Sequence, residues 1–427
     1  MWHALLPLDA RCPARRGAQP TETPLHRLLY DPTDDSTRCN PFPLYAALQE
    51  QDPVHWSEAL RAWVVTRYDD VRAVTTSPAM SSDRLTPFYE ALKDERRDIL
   101  SGVMRYLSLW LVFKAPPEHT RLRKLLNTVI TPGLVASMEP QIRSTVDLIL
   151  TQVDPATEIE FMKDIAVLLP AYVILDMLGV PRADFGRLKV WSDDLRLFIG
   201  IARGEADRYR RARDGADHMS AYFRELIGQR RTTPGDDVIS RMVSARDGQG
   251  GMTEDELVAS CMLMLFGGHE TTTNLLGNAL VALLDHPQQL RQLGSEPALI
   301  VRAVEEFLRY DGPSNSIARV VAQEHVLGEK TLRAGDRVFA MVNAANRDPR
   351  QFANPHALDF SRTPNRHLTF GQGLHFCLGA PLARLEARVC IGELVARFPA
   401  MRYGSGTVDW IDALIMRGPK QLPVVLA

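Results

Sequence analysis

Phe370-Gly371-Gln372-Gly373-Leu374-His375-Phe376-Cys377-Leu378-Gly379 is the stretch whose reading decides the fold. Taken alone, a lone cysteine is most often a small buried hydrophobe. The neighbours of Cys377 point elsewhere. Gly371, Gly373 and Gly379 lie within eight residues of it, and they permit tight turns and a close approach to a flat ligand that a Cβ would block. Leu382-Ala383-Arg384-Leu385-Glu386-Ala387-Arg388 then reads as a helix, which sets Cys377 just before or at a helix N-terminus. There, free N–H groups and the helix dipole favour a thiolate. No partner cysteine stands at the short, paired spacing of a zinc site. A single thiolate in an apolar, glycine-lined loop suits one axial ligand of a haem iron.

The stretch resembles the cysteine-ligand loop of the cytochrome P450 family, whose pattern F-x-x-G-x-H/R-x-C-x-G is met by Phe370, Gly373, His375, Cys377 and Gly379. The resemblance implies that Cys377 ligates the iron of haem b, that Phe370 and Gly371 lie against the thiolate and the cofactor, and that His375 reaches a haem propionate.

The rest of the chain sets outer bounds. Its 427 residues suffice for one large domain or two to three ordinary ones, with a substantial core. Composition is that of a globular protein, and a formal net charge of -2 gives no reason to expect nucleic acid. Cys12, Cys39, Cys261, Cys377 and Cys390 are few, odd in number and scattered, so a disulfide framework is not expected and a reducing compartment is favoured. The apolar run Ala4 to Leu8, interrupted by Pro7, is neither a secretory h-region nor a membrane span, which predicts a soluble, cytoplasmic protein.

Residues 1–39 read as a loosely ordered lead-in to a single domain over 40–427. Pro43 to Gln51 predicts a short helix, Val54 to Trp56 with Ala62 to Thr66 a β-hairpin, and Asp69 a cap for the helix that follows. From Ser77 to Ala115 the pattern is ambiguous. Ala115-Pro116-Pro117-Glu118-His119 opens a helix on which His119 and Arg123 share one face. Read alone, that is a solvated basic face. The family pattern P-P-x-H-x-x-x-R, also met here, implies contact with haem propionates. Four helices follow between Gln141 and Gly228; the last two resemble the pair that forms a mobile lid over the family's site.

Thr253 and Glu256 form a capping box, and no proline appears until Pro287, so one helix of about 32 residues is predicted, apolar on several sides. Gly267-Gly268-His269-Glu270-Thr271-Thr272-Thr273 in its middle is poor helix interior and predicts a break. In isolation this is equally a packing kink with Glu270 in solvent. The segment resembles the family's A/G-G-x-D/E-T-T pattern, which implies a groove for dioxygen, with Thr271 holding the oxygen and its water and Glu270 refilling a proton relay. Glu306 and Arg309, three apart on a further helix, are a common exposed pair by themselves. By the resemblance they form the family's structural E-x-x-R pair, joined by Arg362. Arg319, in a strand-rich portion from Ala318 to Val342, resembles the propionate-binding arginine, and the turn Ala413-Leu414-Ile415 the one that dips into the substrate pocket.

The expected fold is therefore mainly α with a smaller β region, haem lying between the long kinked helix and the cysteine-loop helix. The implied activity is that of a haem-thiolate monooxygenase inserting one atom of O2 into a C–H or C=C bond of a hydrophobic small molecule. The alternatives are a peroxygenase or isomerase, or a non-catalytic haem sensor; Glu270 and Thr271 speak against these. The chain ends soon after the haem fold, so electrons are expected from an external ferredoxin or flavodoxin with its NAD(P)H-dependent reductase. Arg121, Lys124, Arg384 and Arg388 are candidates for a basic docking face. Substrate-pocket candidates are Leu85, Phe88, Leu195, Phe198, Phe266, Gly267, Ile317 and Leu414, all apolar or small. Arg84 is a candidate partner for a substrate carboxylate, against the plainer reading of an exposed arginine.

Overall fold

One helix, Glu254–Asp285, sets the arrangement of the rest. It belongs to a computed structural model of the chain that describes residues 28–93, 95–199, 207–248 and 250–427. Thr253 Oγ1 accepts from the Glu256 N–H at 3.2 Å while Glu256 Oε2 accepts from the Thr253 N–H at 2.8 Å, which closes the capping box. Glu254, Asp255 and Glu256 put negative charge at the positive end of the helix dipole. Its 32 residues span ~48 Å. Between Leu257 and Leu283 every residue is buried except Leu263, Gly267, Gly268, Glu270 and Thr271. A helix apolar all round belongs inside a core, and its one window falls within the Gly267–Thr271 turn.

The expected break is absent, since the helix is continuous across that turn. Thr271 Oγ1 donates to the Gly267 carbonyl at 2.9 Å, so the hydroxyl joins the helix ladder without opening it. Among the helices packed on this axis are Leu168–Leu178, Arg208–Thr232, Glu95–Leu107, Ile300–Tyr310 and Ala380–Arg397. Phe185–Ile199 and Arg208–Thr232 lie against each other as the expected pair; the loop predicted between them, Gly200 to Gly204, lies outside the described residues. Among the described residues no helix is long and apolar enough to cross a membrane.

The β region centres on a five-stranded sheet in the order Val54–Ser57, Ala62–Val65, Arg337–Met341, Ser316–Val321, Met80–Ser81. The first two strands are the predicted hairpin, with Val54 opposite Val65. Ala62–Val65 then pairs parallel with Arg337–Met341, Trp63 opposite Val338, so segments far apart in the chain share one sheet. The segment that was ambiguous in sequence resolves into the short strand Met80–Ser81, the helices Leu85–Glu90 and Glu95–Leu107, and the turn Leu111–Phe113. Asp69 does not cap the helix Tyr68–Thr76; it lies within the first turn, where its charge meets the dipole.

The lead-in differs from expectation in its described part. Tyr30 is buried beside Tyr45, their rings 6.3 Å apart, and Asp34 caps a helix over Asp35–Cys39, so residues 28–39 are built into the fold. Cys39 is disulfide-bonded, a single link and not a framework, whereas Cys261, Cys377 and Cys390 are free.

Glu306 and Arg309 are fully buried on Ile300–Tyr310, the reverse of an exposed pair. Arg309 Nε and Nη2 donate to Glu306 at 2.8 and 2.7 Å, and its remaining N–H groups reach the carbonyls of Asn346, Pro355 and Ala357. Arg362 Nε lies 3.2 Å from both Glu306 oxygens, and the Asn365 amide donates to Oε2 at 3.1 Å. Every polar atom of the pair is occupied, and the irregular chain from 346 to 365 is pinned just ahead of the cysteine loop.

Candidate functional site

The cysteine loop folds back on itself because two of its glycines take left-handed backbone, Gly371 at φ 69° and Gly373 at φ 64°. The Cys377 N–H donates to the Phe370 carbonyl at 2.9 Å, closing the loop, and the helix Ala380–Arg397 starts three residues later. Burial pushes the Cys377 thiol up from its ordinary value. The N–H groups of Gly379 and Ala380 and the charges of Arg123 and Arg384 act in the opposite direction, towards a thiolate.

Cys377 faces a slot of about 220 Å³. One wall is the window of the central helix, Gly267, Gly268, Thr271 and Thr272; the other is Phe370, Gly371, His375 and Cys377, with Ile317 and Arg319 at the side. Four basic groups gather around it without an acidic partner. His119 is 1 % exposed, neither ring nitrogen has a partner, and its ring centroid lies 4.5 Å from that of His375. Arg123 donates to the Phe376 carbonyl at 2.7 Å, and Arg319 to the Ala318 carbonyl at 3.0 Å. Burial, with Arg319, His119 and Arg123 nearby, drives His375 down to about 4; burial brings Arg319 down to about 10. The guanidinium charges of Arg123 and Arg319, beside a buried His119 ring with no partner, call for an anion. A flat dianionic macrocycle whose metal takes one thiolate would suit the glycine window, the basic groups and the single sulfur. Among the described residues no group of three or more His, Cys, Asp or Glu could hold a metal ion by itself.

Above the slot, Thr271 lines the cavity and Glu270 turns away from it. The Glu270 carboxylate lies 3.4 Å from Lys189 Nζ on the helix Phe185–Ile199 and 3.3 Å from His269 Nε2, whose Nδ1 donates to the Leu265 carbonyl at 2.6 Å. Burial works against its charge, but His269, Lys189 and Arg196 outweigh that and bring Glu270 down to about 2. It is not a solvated side chain at a kink.

The pocket candidates separate. Gly267 and Ile317 line the slot. Leu85 and Leu195 are core residues, and Phe266 packs its ring 5.3 Å from that of Trp110. Phe88 and Phe198 meet at 5.8 Å, joining the helix Leu85–Glu90 to the helix Phe185–Ile199. Leu414 is elsewhere, in the cluster with Tyr30, Phe42 and Tyr45. The basic docking face is also largely neutralised: Arg121 pairs with Glu256, and Arg384 makes two bonds to Glu305, 2.6 and 3.0 Å, while lying over the Phe370 ring.

Two residues at the site escaped the sequence reading. Lys189 gave no signal, being one lysine on an amphipathic helix. Glu386 lines the slot, fully buried, with Oε2 unpartnered and its acidity pushed far up by burial. Its signal was periodic, because Gly379, Leu382, Ala383 and Glu386 fall at i, i+3, i+4 and i+7 and share one helix face.

Comparison with known proteins gives the following. A family model described as cytochrome P450 matches residues 194–404. The chain is 32% identical over 415 residues to the polyketide biosynthesis cytochrome P450 PksS of Bacillus subtilis, covering 94% of this chain and all of that one. It is 36% identical over 394 residues to the mycinamicin IV hydroxylase/epoxidase of Micromonospora griseorubida, covering 89% and 94%. Among solved structures, P450BioI in complex with a hexadec-9Z-enoic acid ligated acyl carrier protein superposes with a TM-score of 0.85 at 34% identity, over 92% of this chain and 99% of that one.

Proposed function

Because the chain belongs to the cytochrome P450 family it is a haem-thiolate monooxygenase of small-molecule substrates, and we propose that it is a cytoplasmic enzyme using haem b and an external ferredoxin or flavodoxin with its NAD(P)H-dependent reductase. The observation that carries this reading is the free thiol of Cys377 aimed into a slot whose opposite wall is Gly267, Gly268 and Thr271. When bound, haem supplies the activation of dioxygen, tuned by its thiolate ligand.

The chain's own groups do the rest. Cys377 Sγ would ligate the iron, and His119, Arg123, Arg319 and His375 would hold the propionates through charge-assisted hydrogen bonds. At Gly267 an added Cβ would meet no protein atom within 4 Å, which leaves open space for a diatomic molecule near Thr271, whereas bare Gly268 lets Ile174 pack against the helix. Thr271 Oγ1, which gives its proton to the Gly267 carbonyl in this structure, is the group that would deliver one to the reacting oxygen. Glu270 is ionised at neutral pH and would take protons from solvent once Lys189 loosens its hold, so lid position and proton supply are linked through one ion pair. Phe88 and Phe198 would help close the mouth against water. A peroxygenase, isomerase or sensor would have no use for the Glu270–Thr271 arrangement, so oxygen activation is preferred.

The test is the carbon monoxide difference spectrum of the reduced protein beside Cys377→Ala. A red-shifted Soret band that is lost in the variant supports thiolate ligation. A band typical of histidine ligation, or no haem, overturns the reading.

A further inference from the structure

Arg84 has no part in the chemistry described above, and it is not the solvated arginine expected from the sequence. Strand Met80–Ser81 pairs with Ser316–Val321 in a register that puts Ser81 opposite Val320, beside Arg319. Beyond the strand the chain is held twice more. Ser82 Oγ donates to the Lys114 carbonyl at 3.1 Å, and Asp83 Oδ1 accepts from the N–H groups of Leu85 and Thr86 at 3.1 and 3.0 Å. The Arg84 guanidinium is thereby fixed 5.1 Å from the centre of the Phe113 ring, next to Val112, which lines the slot as Arg319 does.

The charges there do not balance. Burial and the charge of Arg319 pull Arg84 down to about 10, and no acid or ion pair within the described chain offsets the burial of either arginine. Asp83 is occupied by backbone, and the nearest segment, Leu111 to Lys114, adds another cation. Arg319 spends one N–H on the Ala318 carbonyl, and Arg84 spends none on the protein. Two guanidinium groups close enough for the charge of one to act on the other, both with free N–H groups and Arg84 seated over the Phe113 ring, suit a carboxylate.

Building on the haem-thiolate reading, we propose that Arg84, together with Arg319, forms a carboxylate-binding site at the rim of the slot. The carboxylate is either the terminal acid of an amphipathic substrate whose chain enters the slot, or a propionate of the cofactor in addition to the His119, Arg123 and His375 contacts.

The experiment uses the haem-loaded full chain and the variants Arg84→Leu and Arg84→Lys. Dodecanoic acid and dodecan-1-ol are titrated by spin-state shift, and haem loss to excess apomyoglobin is timed. If a substrate acid binds here, Arg84→Leu weakens dodecanoic acid by roughly 10- to 100-fold against the alcohol, Arg84→Lys recovers part of the loss, and haem retention is unchanged. If a propionate binds here, haem loss quickens by roughly 10-fold or more and the acid-to-alcohol ratio stays put. No change in either readout with Arg84→Leu overturns the proposal, as does a preference for the alcohol that Arg84→Leu leaves intact. The carbon monoxide band of each variant reports separately on the Cys377 reading, so failure of one is not mistaken for failure of the other.

Discussion

Thr271 shows how much a single hydroxyl is asked to do. Removing it leaves the slot and the sulfur in place but takes away the donor nearest the reacting oxygen. Thr271→Ala should therefore keep consuming NAD(P)H with its redox partners while product per NAD(P)H falls severalfold and peroxide rises in step. Unchanged coupling would remove Thr271 from the relay. Arg309 is the opposite case, a residue remote from the chemistry that bears heavily on stability. Arg309→Met leaves the Glu306 carboxylate buried beside a single remaining cation, Arg362, and should cost about 3–5 kcal/mol in urea unfolding. A loss under 1 kcal/mol would show that Arg362 alone satisfies Glu306. That Cys377, His375, Gly267 and Thr271 gather at one slot was legible in the sequence because each sits in a short motif whose parts are neighbours in the chain. The pocket residues were not, because Leu85, Leu195 and Leu414 look the same in sequence whether they face a core or a cavity, and only packing places them in the core.

At the scale of elements, the interactions that matter join helices far apart in sequence, and local pattern gives no sign of them. Arg384 and Arg121 read as exposed cations because their partners, Glu305 and Glu256, lie on other helices. The capping box, by contrast, involves residues three apart and was read correctly with the length of its helix. The break was misjudged because the Thr271 hydroxyl has a carbonyl to bond inside the helix. Two predictions concern such inter-helix links. Lys189→Met removes one of the cations that hold Glu270 down to about 2, so its acidity should move up towards the ordinary carboxylate value. The acid limb of product formation against pH should shift upward with it, and a limb that stays in place would disconnect the lid from the relay. Glu305, drawn down to about 2 by His367 and Arg384 in spite of burial, ties Ile300–Tyr310 to the cysteine-loop helix. A carboxylate lowered in this way stabilises the fold above its unfolded value near ~4.3, and that stability is lost as pH falls towards about 2. Glu305→Gln should flatten the fall in unfolding free energy across this window, and an equally steep fall would place the acid sensitivity in other groups.

For the molecule as a whole, the C-terminal region closes on the segment just before Pro41. Arg417 donates to Asp311 at 2.8 Å and to the carbonyls of Arg38 and Cys39 at 2.8 and 3.1 Å, under the ring of Trp410 at 4.0 Å. Arg417→Ala should lower Tm and expose the segment before Pro41 to protease while the carbon monoxide spectrum is retained; unaltered cleavage would show that Tyr30 and its neighbours hold that segment unaided. The fold class was legible because one apolar helix and one cysteine loop imply it. The strand pairings beyond the hairpin were not, since nothing local tells Trp63 which distant strand it will meet. Its indole N–H donates to Asp336 at 2.9 Å, a partner 273 residues further on. At roughly 5–20 residues per second of synthesis, the finished hairpin waits about 14–55 s for the strand that completes its sheet. During that interval it presents an open edge to everything else in the cell. How much active enzyme a host yields should therefore depend on the pace of translation and on the chaperones that shelter the nascent chain, as much as on any residue in the slot.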